Sequence, residues 1–282
     1  MTLEAVRKRF EKELAQLYTQ QEARQHFSDL CLYYFGYQRA TVVLHLKKTI
    51  EKTNAVKLFE ALDKLVQNVP IQYIIGHVLF AQTSIHVNSA VLIPRPETEE
   101  FVHYILESTT TSKPLRVLDV GTGSGCIAIA LKKARPYWEV SAWDIDPEAL
   151  EVAKENAVRN NTSVNFEQIN IFSNSCPKGT WDIIVSNPPY VPESLKSSTA
   201  PHILLQEPLH AIFVSNKSPL IFYESIATYA QKYLVSGGRL FFEGHNPLMK
   251  SLKIFLEQQG FCDIVLRNDF RGNPRFIDAI NA

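Results

Sequence analysis

Over residues 1–70 apolar positions recur three or four apart: Leu3, Val6, Phe10, Leu14 and Leu17, then Ala23, Phe27, Leu30 and Tyr34, then Val56, Phe59, Leu62, Leu65 and Val66. That is the period of a helix with one face turned inward, so the pattern predicts a small helical bundle that stops at Pro70. From Phe80 to Pro94 the pattern changes to short β-like pieces, FAQTSIHV and AVLIP, parted by Asn88 and Ser89, which predicts a hairpin joining two domains. Beyond it, the strand-like runs RVLDV, EVSAWD, DIIVSN and RLFFEG alternate with CIAIALKKA, PEALEVAKENAVRN and PLIFYESIATYAQKYL, which carry helical periodicity. Such alternation predicts a mostly parallel sheet with helices on both faces and a ligand at the carboxyl ends of the strands. The last stretch, DIVLRNDFRGNPRFIDAI, reads instead as strand, turn and strand, with Gly272, Asn273 and Pro274 at the turn.

The 282 residues suffice for two cores, a small helical one and a larger α/β one. Lys plus Arg (29) balances Asp plus Glu (29), so no global field gathers nucleic acid by counterion release, and stable nucleic acid binding is not expected. The cysteines, Cys31, Cys126, Cys176 and Cys262, form no CxxC pair, and the histidines show no metal spacing, so neither a disulfide framework nor a metal site is expected. No apolar run reaches the roughly 18 residues of a membrane span, and MTLEAVRKRFEKEL is an amphipathic helix pattern rather than a signal peptide. These features predict a cytoplasmic protein, complete as written, with no membrane partner.

Two motifs carry chemistry. The first is Gly121-Thr122-Gly123-Ser124-Gly125, entered directly from LRVLDV and leading into a helix; the glycines permit positive φ and a close backbone approach to a ligand beside a helix N-terminus. Asp144, at the end of the next strand, can accept hydrogen bonds from both hydroxyls of a ribose. The spacing is G-x-G-x-G, not the dinucleotide G-x-G-x-x-G. Asp119, two residues before the loop, would repel a pyrophosphate and suit the cationic groups of S-adenosylmethionine. Asp146 followed by Pro147 reads as an ordinary helix start.

The second motif is Asn187-Pro188-Pro189-Tyr190 at the end of DIIVS. The prolines fix the backbone and remove two N–H donors, so the Pro188 carbonyl and the Asn187 side-chain oxygen are free to accept the two protons of an –NH2 group, while Tyr190 can lie flat on a planar amide or base. Acceptors aimed at the N–H bonds of a weakly nucleophilic nitrogen favour the positive charge that develops as it attacks a methyl carbon.

Gly121 to Gly125, Asp144 and Asn187 to Tyr190 resemble the class I S-adenosylmethionine-dependent methyltransferases that act on exocyclic or amide nitrogens. VPIQYIIGHVLF (69–80) and VLIPRPETEEFV (91–102) resemble, more narrowly, the HemK-type peptide chain release factor glutamine methyltransferases, across nearly the whole chain. The resemblance implies a Rossmann-like α/β catalytic domain with a mostly parallel seven-stranded sheet and a C-terminal antiparallel hairpin, preceded by the helical bundle. Its expected layout is 1–75 for a substrate-docking domain, 76–95 for a β-hairpin linker and 96–282 for the catalytic domain. The implied partner is the Gly-Gly-Gln loop of release factors, methylated on the glutamine side-chain nitrogen. Carried over by position, Gly121, Thr122, Gly123, Ser124, Gly125, Asp144, Ile171 and Asn187 contact the donor, Asn187, Pro188, Pro189 and Tyr190 hold the amide, and Asn187, Pro188 and Tyr190 are the catalytic set. The family usually places an acidic residue and an aromatic beside the adenine, where this chain departs with Asn170-Ile171-Phe172.

Three rival readings stand beside this one: a ribosomal-protein glutamine methylase, a nucleic acid amine methyltransferase, and a non-catalytic binding module with a vestigial pocket. The segment Arg95, Glu97 and Thr98 is either a helix start or a lid over the cofactor. Glu243 is either a buried strand-end carboxylate, the preferred reading, or a site residue.

Overall fold

The computed structural model describes all residues, Met1–Ala282, which divide into two compact units. The first comprises Met1–Gly76 with Ala200–Gln206. Its helices are α1 (Leu3–Glu13), α2 (Gln20–Phe35), α3 (Arg39–His45), α4 (Lys52–Val66) and α5 (Ile71–Ile75). Thr19 and Glu22 form a reciprocal capping box at the start of α2, and Gly36 ends it in a left-handed conformation (φ 68°). Leu3, Val6, Phe10, Phe27, Leu30, Leu58, Leu62 and Leu65 bury together as the period-3.6 pattern requires.

The second unit, His77–Thr199 with Glu207–Ala282, is built on a seven-stranded sheet. Its elements run β1 (His77–Phe80), β2 (Thr83–His86), α6 (Pro96–Ser108), β3 (Arg116–Val120), α7 (Cys126–Ala134), β4 (Glu139–Asp144), α8 (Pro147–Arg159), β5 (Asn165–Gln168), β6 (Trp181–Ser186) and β7 (Val191–Pro192). After α9 (Pro201–Gln206), which groups with the first unit, come β8 (Phe213–Val214), α10 (Ile221–Tyr233), β9 (Leu234–Glu243), α11 (Asn246–Gln258), β10 (Phe261–Asn268) and β11 (Pro274–Asn281). The strand order is β10-β11-β9-β6-β3-β4-β5; β9, β6, β3, β4 and β5 are parallel, and β11 and β10 close the edge antiparallel. The mostly parallel sheet with its C-terminal antiparallel hairpin is therefore as the pattern predicts. Connections turn outward in opposite directions from β3 and β6, and the crevice at their carboxyl ends is where such a sheet admits a ligand. Leu118, Ile184, Leu240, Phe242 and Ile277 are buried from the strands, which accounts for their near-continuous apolar runs.

One local expectation is corrected and one strand is new. AVLIP is not a strand: the hairpin closes entirely within His77–His86, and residues 87–95 have no regular structure. Its turn uses Ala81 (φ 43°) and Gln82 (φ 63°), residues with no turn signature, held because Asn156 on α8 and Asn160 at its C-cap clamp the backbone of β2. The polar strand NFEQ (β5) escaped the pattern because it is a short sheet edge, partly exposed, with no apolar face to enforce alternation.

Candidate active site

The glycine loop is strapped to its neighbours before any ligand is considered. The amides of Gly121 and Thr122 both donate to the Trp143 carbonyl (2.8 and 3.0 Å), and that of Gly123 donates to Asp144 Oδ2 (2.8 Å). Gly121 (φ 73°) and Gly123 (φ 54°) hold left-handed conformations with open space where a Cβ would project. Gly125 (φ 78°) differs: a Cβ there would meet Ala153 Cβ and Ile129 Cδ1, each at 3.1 Å, so this glycine lets α7 start against α8.

Around the loop lies a cavity of about 330 Å³, within the range of sites that take a nucleoside-sized molecule. Gly121, Thr122, Gly123, Ser124, Asp144, Ile171, Asn187, Pro188 and Pro189 all line it. Gly125 and Tyr190 do not. Gly125 sits behind the wall at the helix start, and Tyr190 turns to stack on His245 (centroids 6.1 Å apart, planes 8°), its hydroxyl 3.4 Å from Glu243 Oε1. One side of the cavity is apolar, formed by Ile145, Ile169, Ile171, Phe172 and Phe222.

The carboxylates beside the loop are under strain of desolvation. Asp119 is fully buried; its Oδ2 accepts from the Thr122 hydroxyl (2.6 Å) while Oδ1 has no partner, and burial pushes its pKa up to about 7. Burial also raises Asp144, although the Gly123 and Asp146 amides, each donating to one of its oxygens, oppose the shift. These groups fit S-adenosylmethionine: an orphaned carboxylate oxygen beside a loop with no side chains over Gly121 and Gly123 calls for a cation, Asp144 keeps lone pairs for hydroxyl donors, and the apolar wall suits a purine.

Several residues enter that sequence reasoning left open or missed. Thr98, in the first turn of α6, is buried in the cavity wall and its Oγ1 accepts from Asn187 Nδ2 (3.1 Å). Arg95 pairs with the buried Glu207 (2.6 Å), whose other oxygen accepts from the Ile93 amide (3.2 Å). Glu97 faces Arg271 (3.7 Å). The segment is thus a helix start from which Thr98 alone reaches the cavity wall, Arg95 and Glu97 pairing elsewhere. Asn156 donates to the carbonyls of His86 and Ser124 (2.9 Å each), joining the hairpin to the glycine loop. Glu243, at the end of β9, is buried, with Oε2 unpartnered and its pKa pushed up to about 7 by burial. No three or more His, Cys, Asp or Glu side chains come together as metal ligands.

The strand order, the glycine loop after β3 and the acidic end of β4 define a Rossmann-like S-adenosylmethionine-dependent methyltransferase. The fold recurs in a methyltransferase from Pyrococcus furiosus (TM-score 0.54, 20% identity, covering 71% of this chain and 89% of that one). Residues 100–212 match the methyltransferase small domain and residues 5–76 the PrmC N-terminal domain. The release factor glutamine methyltransferase of Flavobacterium psychrophilum is 35% identical over 98% of both chains, and that of Bacteroides thetaiotaomicron 41% identical over 77% of each. The chain belongs to the release factor glutamine methyltransferase family.

Proposed function

We propose that the protein methylates the side-chain amide nitrogen of the glutamine in the Gly-Gly-Gln loop of peptide chain release factors. Bound S-adenosylmethionine supplies an electrophilic methyl group. Gly121 to Ser124 approach the donor with their backbone, Asp144 accepts its ribose hydroxyls, Asp119 supplies negative potential, and Ile171 with its apolar neighbours forms the purine face.

The observation that carries this reading is the Asn187–Thr98 hydrogen bond. It uses one N–H of the Asn187 amide and leaves Oδ1 without a protein partner at the cavity wall. Oδ1 and the Pro188 carbonyl then accept the two N–H bonds of the glutamine amide, holding its nitrogen for in-line attack and favouring the charge that grows on it. The acidified nitrogen afterwards releases a proton to water, so no strong base is needed. Tyr190, braced by His245, stiffens the tetrad from behind; its contact with the glutamine would require a rotation away from that stack.

Residues 1–75 act in this reading as a docking domain for the release factor, residues 76–95 as the hairpin linker, and the protein works in the cytoplasm, where release factors act. No helix is long and apolar enough to cross a membrane.

The test uses donor labelled in the methyl group with purified release factor or duplex DNA. Label is expected on the glutamine of the factor; label only in DNA would overturn the assignment. Asn187→Ala should keep donor affinity and lower turnover by about 10²-fold or more, as removal of a preorganised polar group does. Unchanged turnover would remove Asn187 from the mechanism.

A further inference from the structure

The donor loop ends on a peptide bond that its own sequence leaves free to turn. Gly125 follows the Ser124 carbonyl, and a Cβ at this position would crowd Ala153 and Ile129. A glycine takes positive and negative φ at similar cost, so the peptide between Ser124 and Gly125 has two orientations open to it. It holds one of them: the Gly125 amide donates to the Thr122 carbonyl (2.9 Å), and the Ser124 carbonyl accepts from Asn156 Nδ2 (2.9 Å). Ser124 lines the cavity, whereas Asn156 is fully buried and takes no part in the cavity wall. The bond to Asn156 therefore draws the carbonyl away from the space a ligand would fill.

Asn156 lies on α8 three residues beyond Ala153, on the same face of the helix. A carboxamide can be turned either way, and here the hairpin decides. Asn156 Oδ1 accepts from the His86 amide (2.6 Å) and Nδ2 donates to the His86 carbonyl (2.9 Å), so the side chain pairs with the last residue of β2 as a neighbouring strand would. Turned over, it would set Oδ1 against the carbonyls of both His86 and Ser124, and an N–H against the His86 N–H. Both of its N–H bonds are thus committed, one to the hairpin and one to the donor loop. Asn160, at the C-cap of α8, repeats the pairing with Ser84 (3.2 and 2.8 Å), but Nδ2 donates besides to the Asn156 carbonyl (2.9 Å) and not to the loop.

We propose that Asn156 is a positioning residue for the donor: the hairpin His77–His86 fixes the polarity of its carboxamide, the carboxamide fixes the Ser124–Gly125 peptide, and the donor site is complete only when the hairpin is seated on α8. Loss of the His86 pairing lets the carboxamide reverse. The Ser124 carbonyl, left without its donor, then swings toward the cavity, where it takes up room and repels the carboxylate of S-adenosylmethionine. Because coupling between two sites is reciprocal, a ligand in the cavity in turn holds the hairpin down. The hairpin follows directly on the helical unit that ends at Gly76, so the segment joining the two units registers whether the donor site is filled. The inference rests on the reading of Gly121 to Ser124 as the donor loop.

The experiment compares the wild type with Asn156→Ala and Asn160→Ala as full chains. Each is measured by calorimetric titration with S-adenosylhomocysteine, by steady-state kinetics, and by hydrogen–deuterium exchange with and without that ligand. Asn156→Ala should bind S-adenosylhomocysteine more weakly by about tenfold or more, with the loss falling on KM for S-adenosylmethionine rather than on turnover at saturating donor. Asn160→Ala loosens the same hairpin without touching the loop and should bind as the wild type does. In the wild type, saturating S-adenosylhomocysteine should slow exchange of the amides of residues 84–86 more than those of β10, at the antiparallel edge of the sheet, which report the overall gain in stability. That excess should vanish in Asn156→Ala and persist in Asn160→Ala, and its presence in the wild type keeps the test alive if Asn156→Ala does not fold. Wild-type affinity in folded Asn156→Ala, or hairpin amides in the wild type slowed no more than those of β10, would overturn the inference. If Asn156→Ala is normal while Gly123→Ala loses affinity for S-adenosylhomocysteine, only this inference fails; if Gly123→Ala binds normally as well, the reading of the loop as the donor site fails with it.

Discussion

Gly125 makes the sharpest stability test, because it belongs to a ligand loop by sequence yet sits outside the cavity wall. Gly125→Ala places a Cβ at φ 78°, a left-handed conformation that costs an L-residue about 1–2 kcal/mol. The new methyl would lie 3.1 Å from Ala153 Cβ and 3.1 Å from Ile129 Cδ1. The isoleucine tip can swing aside, but Ala153 Cβ is fixed to the backbone of α8, so the helices must part by a few tenths of an ångström. Overpacking of that kind adds about 1–3 kcal/mol. The sum is about 2–5 kcal/mol, or a fall in Tm of about 4–20 °C for a unit of this size. Thermal melting read beside calorimetric titration with S-adenosylhomocysteine checks it, with Gly123→Ala as the contrast. Gly123 has open space at its Cβ position and lines the cavity, so its substitution should cost only the φ strain in stability while obstructing the donor in the proposed reading. An unchanged Tm in Gly125→Ala with a large loss of donor affinity would refute the division of labour between the two glycines.

Two further outcomes follow from buried charge. The folded pKa of Asp119 is raised to about 7 above the usual 3.8, so the native state holds a proton the unfolded chain has released, and the stability this provides is lost as pH rises from about 4 through 7. Asp119→Asn should therefore match the wild type near pH 4 and exceed it by roughly 2–4 kcal/mol at pH 8 without donor, while binding the donor more weakly; a stability difference independent of pH in denaturant melts would contradict this. Glu207→Ala strips the Ile93 amide and the Arg95 guanidinium of a shared buried acceptor and should cost about 2–4 kcal/mol, with protease cleavage appearing in residues 87–95; full resistance to limited proteolysis would count against the tether.

The amino-acid sequence by itself determined those features whose physics is local. Glycine admits positive φ and proline lacks an N–H whatever the rest of the chain does, so the loop at Gly121–Gly125 and the tetrad at Asn187–Tyr190 were legible as motifs, and alternating periods gave the strands and helices of the sheet. The tertiary structure alone decided what those motifs touch. Thr98 meets Asn187 across 89 residues of chain, and Ile93 meets Glu207 across 114, because parallel strands deliver the ends of distant segments to one edge. No local pattern encodes such pairings. The same holds for the stack of Tyr190 on His245, and for the Ala81-Gln82 turn, held in a conformation its residues disfavour by Asn156 on α8 and Asn160 at its C-cap. Backbone preference is a property of one residue and its neighbours, whereas the charge and hydrogen-bond state of a buried side chain is a property of everything packed around it.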